Sequence, residues 1–106
     1  MKIRSICFLL FAFMFSACQQ QTEIEKLGKH YQQNKDYQSL NRVVELMELN
    51  VDTSYVKDIL GEPIDMGFDY RYLIDSTGQK GCVIGAVFHI NGEGKIDQKW
   101  VDEICE

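Results

Sequence analysis

The chain has 106 residues, with 11 Lys and Arg against 16 Asp and Glu, so its formal net charge is −5 at neutral pH. A chain of this length holds one small domain. Its acidic balance, without a cluster of Lys or Arg, excludes nucleic acid as a partner, because binding to phosphates needs concentrated positive charge.

The first 17 residues have the organisation of an export signal. Two cations, Lys2 and Arg4, precede an apolar run, and two small residues separate that run from Cys18. The run is too short for a membrane-spanning helix, which needs roughly 20 apolar residues. The remaining alternative is an ordinary secretory signal followed by an unrelated cysteine, which would leave a soluble mature chain.

The end of this segment, Phe-Ser-Ala-Cys at 15–18, resembles the bacterial lipobox. The resemblance implies that Cys18 carries a thioether-linked lipid with fatty acyl chains such as palmitate, and that the chain is cleaved before it. Two or more acyl chains on one residue give durable membrane anchoring. Gln19 stands where an Asp would favour the inner membrane in enterobacterial lipoproteins, so the outer membrane is favoured.

These features divide the chain into three parts. We expect a lipoprotein signal peptide over 1–17, a lipidated tether over 18–36 and a small α+β domain over 37–106. The tether is polar, and Gly28 near its middle lowers helix propensity. We therefore predict at most a turn or two of helix there.

Four cysteines constrain the mature domain. Cys7 leaves with the signal and Cys18 is lipidated, so Cys82 and Cys105 remain as thiols in an oxidising compartment and are predicted to form a disulfide. Two unpaired buried cysteines are the alternative. A zinc site is less favoured, because two thiols and scattered histidines lack the close ligand pairs of such sites.

Two amphipathic helices are predicted at the start of the domain. Apolar residues recur at spacings of three and four from Tyr37 to a helix end near Leu49. A second, shorter helix has Asp52 or Thr53 as its N-cap and ends at Gly61.

Three antiparallel strands follow. Alternation over 68–75 predicts a half-buried strand, and the run 82–90, apolar on both faces, predicts a central one. The Asn-Gly pair at 91–92 predicts a hairpin turn into a third strand over 95–104. A bulge or an asymmetric loop is needed to bring Cys82 opposite Cys105. The predicted fold is α+β, with two N-terminal helices packed on one face of a three-stranded antiparallel meander.

This arrangement leaves the other face of the sheet without helices. Leu73, Val83, Val87 and Trp100 are expected on that face, where exposed apolar side chains indicate a candidate partner-binding surface. The alternative is that the tether or the first helix covers it.

We find no catalytic constellation, metal-site motif or cofactor motif in the sequence. His89 and Cys82 lie seven residues apart on one strand and therefore face opposite sides, so they cannot form a nucleophile and base pair. The run Asp-Ser-Thr-Gly at 75–78 has one residue too many for the aspartic-protease signature. We therefore predict a non-enzymatic protein with no cofactor and no small-molecule substrate.

The second helix and its turn carry a resemblance to a known family. The matching residues are Thr53, Val56, Leu60, Gly61 and Pro63, followed downstream by Phe88 and the Asn-Gly pair at 91–92. These resemble the small outer-membrane assembly lipoproteins of the SmpA/OmlA (BamE) family, and the order of elements is also similar to β-lactamase-inhibitor-like domains. The resemblance implies a protein-interaction or scaffold module of the cell envelope that acts in outer-membrane protein assembly. The alternative is an inhibitor or immunity-type binding protein in the periplasm or at the cell surface.

Overall fold

The structure, a computed structural model, describes residues 21–106; the expected signal peptide and Cys18 lie outside the described residues. It is an α+β fold with three helices on a four-stranded antiparallel sheet of strand order β1-β2-β3-β4. The elements are α1 (21–34), α2 (Tyr37–Leu46), α3 (Thr53–Leu60), β1 (Ile64–Asp65), β2 (Asp69–Thr77), β3 (Val83–Ile90) and β4 (Ile96–Glu103). The α+β class is confirmed, whereas α1 and the two-residue strand β1 are additions to the predicted two helices and three strands.

The segment expected to be a tether is helical over 21–34, so the prediction of at most a turn or two of helix is wrong. Ile24 and Tyr31 of α1 are 5% and 1% exposed and belong to the hydrophobic core, and Leu27 packs against it. Their spacing places all three on one side of the helix. Burial of this apolar side, which tertiary packing supplies, outweighs the weak intrinsic helix propensity of the segment.

Gly28 allows α1 to lie against α3. A Cβ atom at Gly28 would stand 2.1 Å from the carbonyl oxygen of Ile59 and 2.8 Å from its Cγ2. These separations are far shorter than any van der Waals contact, so only glycine permits this approach. On the next turn of α1, the Gln32 side-chain amide donates a hydrogen bond to the same Ile59 carbonyl at 3.0 Å.

The junction between α1 and α2 covers the outer edge of β2. The Tyr31 hydroxyl donates to the Leu73 carbonyl at 2.5 Å, and the Asp75 amide donates to the Lys35 carbonyl at 3.4 Å. Burial, with a contribution from the nearby Asp75 carboxylate, raises the pKa of Tyr31 to about 12, so its hydroxyl remains a donor at neutral pH. Unpaired strand edges invite association with other chains, and this contact closes one of them.

The helix α2 ends at Leu46, earlier than the predicted end near Leu49. The Lys99 ammonium of β4 donates to the carbonyls of Val44 and Glu45, which lie in the last turn of α2. A cation there satisfies orphan carbonyl groups and interacts favourably with the helix dipole. Burial lowers the pKa of Lys99, while the Glu45 carboxylate acts in the opposite direction.

The start of α3 differs in detail from the predicted cap. Asp52 is the N-cap residue, but its side chain makes no capping hydrogen bond. Its carboxylate instead accepts a hydrogen bond from the Lys95 ammonium at 3.3 Å. The segment before α3 pairs with the start of β4, since Asn50 donates to the Ile96 carbonyl at 2.7 Å. The pairing covers that end of the β4 edge.

The core lies between the helices and one face of the sheet. Tyr72 of β2 contacts the rings of Tyr31 and Phe88 edge to face, with centroids 6.3 and 5.8 Å apart. Other core residues are Leu40, Val43, Val44, Met47, Val56, Ile59, Leu60, Tyr70, Ile74, Ala86 and Ile96. Tyr72 and Phe88 thus join α1, β2 and β3 in one cluster.

The predicted disulfide is present between Cys82 and Cys105, whose Cα atoms are 5.3 Å apart. The register of β3 and β4 shifts between His89 and Ile90, where the expected bulge occurs. Without this shift the two cysteines would be offset by one position. The disulfide joins the two chain segments at the open end of the hairpin, beyond the last paired residues.

Candidate functional site

The candidate site is the face of the sheet opposite the helices, which we call the open face. One row of side chains crosses all four strands there, because Ile64 pairs with Arg71, Arg71 with Val87, and Val87 with Trp100. Paired residues in neighbouring strands share a face. The row therefore places two aliphatic side chains, a guanidinium and an indole on one surface.

The four residues predicted for this surface all lie on the open face. Leu73 pairs with Gly85, which is two residues from both Val83 and Val87, so the alternation of β3 places them together. Val87 is 5% exposed, whereas Trp100 is 43% exposed. Binding by this surface stays a prediction, since the geometry shows only that the four residues share it.

Neither α1, α2 nor α3 covers the open face in the described part of the chain. Tyr31 of α1 packs on Tyr72, whose side chain is directed to the opposite side of the sheet, and α2 contacts β3 and β4 from that side. The alternative in which the tether or the first predicted helix covers the open face is therefore wrong for residues 21–106, where these segments form α1 and α2. Trp100 and its neighbours on the open face are therefore in contact with water.

A shallow groove of about 280 Å³ runs along one side of the open face. Its lining residues are Ile64, Met66, Arg71, Leu73, Val83, Ile104 and Glu106. Two of these, Ile64 and Met66, are large apolar residues that are 48% and 40% exposed. The groove has room for one aliphatic or aromatic side chain of a partner.

Arg71 lies at the centre of the open face with its charge neutralised. Its guanidinium donates to the Asp69 carboxylate at 3.3 Å and to the Glu106 carboxylate. Asp69 is 5% exposed, and a carboxylate that deeply buried needs such a partner. The two ion pairs hold the Arg71 side chain in place beside the groove that it lines.

Sequence reasoning missed part of this surface. Asp69 and Arg71 occupy the alternate positions of β2, so the alternation of that strand carries the signal that places them on the open face. Ile64 carries no such signal, because a strand of two residues leaves no period to detect.

The end of the hairpin is closed by Glu103. Its carboxylate accepts hydrogen bonds from the amide of Lys80 at 3.0 Å and from the amide of Cys82 at 3.3 Å. Its oxygens and the sulfurs of Cys82 and Cys105 form a cluster of metal-ligand type within 4.8 Å. Both sulfurs are joined in the disulfide, so this cluster is structural as it stands.

A second polar cluster joins α1 to α2. Nδ1 of His30 contacts Oδ1 of Asp36 at 3.0 Å and Oγ of Ser39 at 2.8 Å, and the Ser39 amide donates to Oδ2 of Asp36 at 2.9 Å. A catalytic triad needs its serine and carboxylate on opposite ring nitrogens. Here both contact the same nitrogen, so the arrangement is an N-cap of α2 reinforced by His30. Partial burial acts to raise the pKa of Asp36, but the hydrogen bonds from Ser39 and His30 outweigh it and hold that pKa below its usual value.

The other histidine lies on the open face. Nδ1 of His89 is 2.7 Å from Oδ1 of Asp97, beyond the bulge in the hairpin. Cys82 is held in the disulfide. The structure thus does not bring these two residues together, and His89 serves as a partner of Asp97.

No family model, no curated protein and no solved structure matches this chain. Within residues 21–106, no helix combines the length and the apolar character needed to cross a membrane.

Proposed function

We propose that this chain is a lipid-anchored, non-enzymatic protein of the bacterial cell envelope that binds a protein partner through the open face. The observation that carries the proposal is Trp100, an aromatic residue 43% exposed on the outer strand β4 of an uncovered sheet face, beside the buried Val87. Tryptophan is among the residues that contribute most to protein interfaces. Burial of its exposed part against a partner would contribute about 1–2 kcal/mol.

The surroundings of Trp100 support a protein as the ligand. The surface is broad and shallow, with a buried centre at Val87 and polar groups at its margin, which is the anatomy of a protein interface. Small molecules bind in deeper, more enclosed cavities. We propose no catalytic role, because the His30, Asp36 and Ser39 cluster is arranged as a helix cap.

The anchor is proposed from the lipobox-like residues before Cys18. Three residue steps separate Cys18 from position 21, where α1 is already helical, and even a fully extended chain covers only about 11 Å over that length. A lipid on Cys18 would therefore hold the domain close to the membrane surface. A partner that is itself embedded in the membrane suits such a position.

The outer membrane and a role in protein assembly there follow from the resemblance to the SmpA/OmlA (BamE) lipoproteins. Support comes from the order of α2, α3 and the meander, with Leu60-Gly61 and Pro63 at the turn between them. Gly61 has φ of 86° at the C-cap of α3, a conformation that favours glycine and accounts for its place in the pattern.

Metabolic labelling with an alkyne fatty-acid analogue tests the anchor. We expect the wild-type protein to be labelled and to sediment with membranes, and Cys18→Ser to lose both properties because the thioether cannot form. Cys105→Ser is the matched control, since it removes a different cysteine and should retain the label. Equal labelling of wild type and Cys18→Ser would contradict the anchor.

A further inference from the structure

We propose that the partner presents a basic side chain to Trp100 and an apolar side chain to the groove. This inference rests on the proposed function and specifies the chemistry of the partner. The open face carries four carboxylates and a single guanidinium, that of Arg71; the carboxylates belong to Asp69, Asp97, Asp102 and Glu106. The surface is acidic around an apolar centre.

One carboxylate beside the indole lacks a cationic partner. Arg71 already pairs with Asp69 and Glu106, so those three groups form an ion-paired unit with a formal charge of −1 on the side of the groove. Asp102 is two residues from Trp100 on β4 and shares its face, and Asp97 lies near the other end of the strand. No cation is paired with Asp102 among the described residues, where its carboxylate accepts a local hydrogen bond from the Glu103 amide at 2.7 Å.

An exposed indole beside an uncompensated carboxylate is a receptor for a cationic side chain. The face of tryptophan attracts Lys or Arg through its ring quadrupole. A surface ion pair with Asp102 adds a second favourable interaction. A partner with an acidic group at this position would instead meet like charge, so the surface selects for a base.

The groove supplies the apolar half of the recognition. Leu73 lies on β2 and Trp100 on β4, with β3 between them. Their partners on β3, Gly85 and Val87, are two positions apart, so the two sites are about 12 Å apart. Gly85 lies between Leu73 and Asp102, and its lack of a side chain leaves the surface low there. An extended segment covers about 13 Å in four residues, and residues four apart share one face of it. The expected segment therefore carries an apolar and a basic side chain four positions apart.

The probes are two blocked peptides, acetyl-Leu-Ala-Ala-Ala-Arg-amide and acetyl-Leu-Ala-Ala-Ala-Glu-amide, titrated into the whole protein purified from membranes. Trp100 is the single tryptophan of the chain, so its fluorescence reports binding at this position. We expect the Arg peptide to bind with a dissociation constant on the order of 1 mM. The Glu peptide should bind at least about fivefold more weakly.

Asp102→Asn should weaken the Arg peptide about threefold without changing the fold, because the amide keeps an oxygen for the Glu103 N–H. Asp58→Asn is the matched control, since it removes the same charge from exposed α3 on the other side of the molecule and should change nothing. The inference would be overturned if both peptides bound equally, or if the Arg peptide did not bind up to roughly 10 mM. An equal effect of the two substitutions on binding of the Arg peptide would also overturn it. The proposed function would stand in each of those cases if photocross-linking from position 100 in cells captured a protein of the cell envelope.

Discussion

Reduction of the disulfide between Cys82 and Cys105 is expected to lower the free energy of unfolding by about 3 kcal/mol. The bridge closes a loop with a sequence separation of 23, and the chain-entropy model gives that value for a loop of this size. A domain this small has only about 5–10 kcal/mol of stability. Urea denaturation followed by far-UV circular dichroism, with and without dithiothreitol, measures the loss.

The variant in which both cysteines are replaced by alanine is the control for this measurement. Its stability should match that of the reduced wild type and should not respond to dithiothreitol. Glu103 contacts the amides of Lys80 and Cys82 without the bridge, so the hairpin keeps part of its closure in the variant. A wild type whose stability is the same in both redox states would contradict the stabilising role of the disulfide.

Gly28→Ala is expected to lower the free energy of unfolding by about 2–3 kcal/mol. Helix propensity alone predicts the opposite, a gain of about 1 kcal/mol for this change in a helix. The structure reverses the sign, because the new methyl group would meet the backbone oxygen of Ile59 at 2.1 Å and would push α1 away from α3. Urea denaturation measures the effect.

Lys29→Ala is the matched control for Gly28→Ala. It adds a good helix former at the next position of α1, where the side chain is exposed, and should change stability by less than about 0.5 kcal/mol. If Gly28→Ala were as stable as the wild type or more so, α1 would not pack against α3 as described. The comparison separates helix propensity from helix packing.

The hairpin and its disulfide are the part of the fold that the sequence predicts best. Their signals are local: alternation along β3, an Asn-Gly turn at 91–92, and two cysteines whose positions require a bulge. The turn has the expected chemistry, since the Asn91 side chain accepts hydrogen bonds from the amides of Glu93 and Lys95. Each of these interactions spans few residues.

The sequence predicts the helix α1 less well, although part of the helical pattern is present. Ile24, Leu27 and Tyr31 have helical spacing, but Gly28 and the flanking glutamines reduce the propensity of the segment. The packing against Ile59 that makes Gly28 favourable is a tertiary contact. A sequence pattern does not show such a contact, so helix propensity alone predicts too little helix in this segment.

The candidate site was predicted in part for a related reason. Alternation was sufficient to place Leu73, Val83, Val87 and Trp100 on one face. Whether the predicted tether covers that face depends on which side of the sheet α1 packs, and the contact between the Tyr31 and Tyr72 rings holds α1 on the other side. The groove likewise depends on Glu106 returning to Arg71 from the end of the chain.

Site-specific photocross-linking in cells tests the central claim, that the open face binds a protein partner in the cell envelope. Benzoylphenylalanine is placed at position 100, and at Asp58 as a control on the helical side of the molecule. Trp100 is a better position than Val87, because Val87 is 5% exposed and its replacement would disturb the sheet.

The account predicts a light-dependent adduct with an envelope protein from position 100, at least about tenfold stronger than from position 58. An adduct with a component of outer-membrane protein assembly supports the proposed role, whereas a hydrolase or toxin would replace it with an inhibitor or immunity function. No adduct from position 100, or equal adducts from both positions, would contradict the claim.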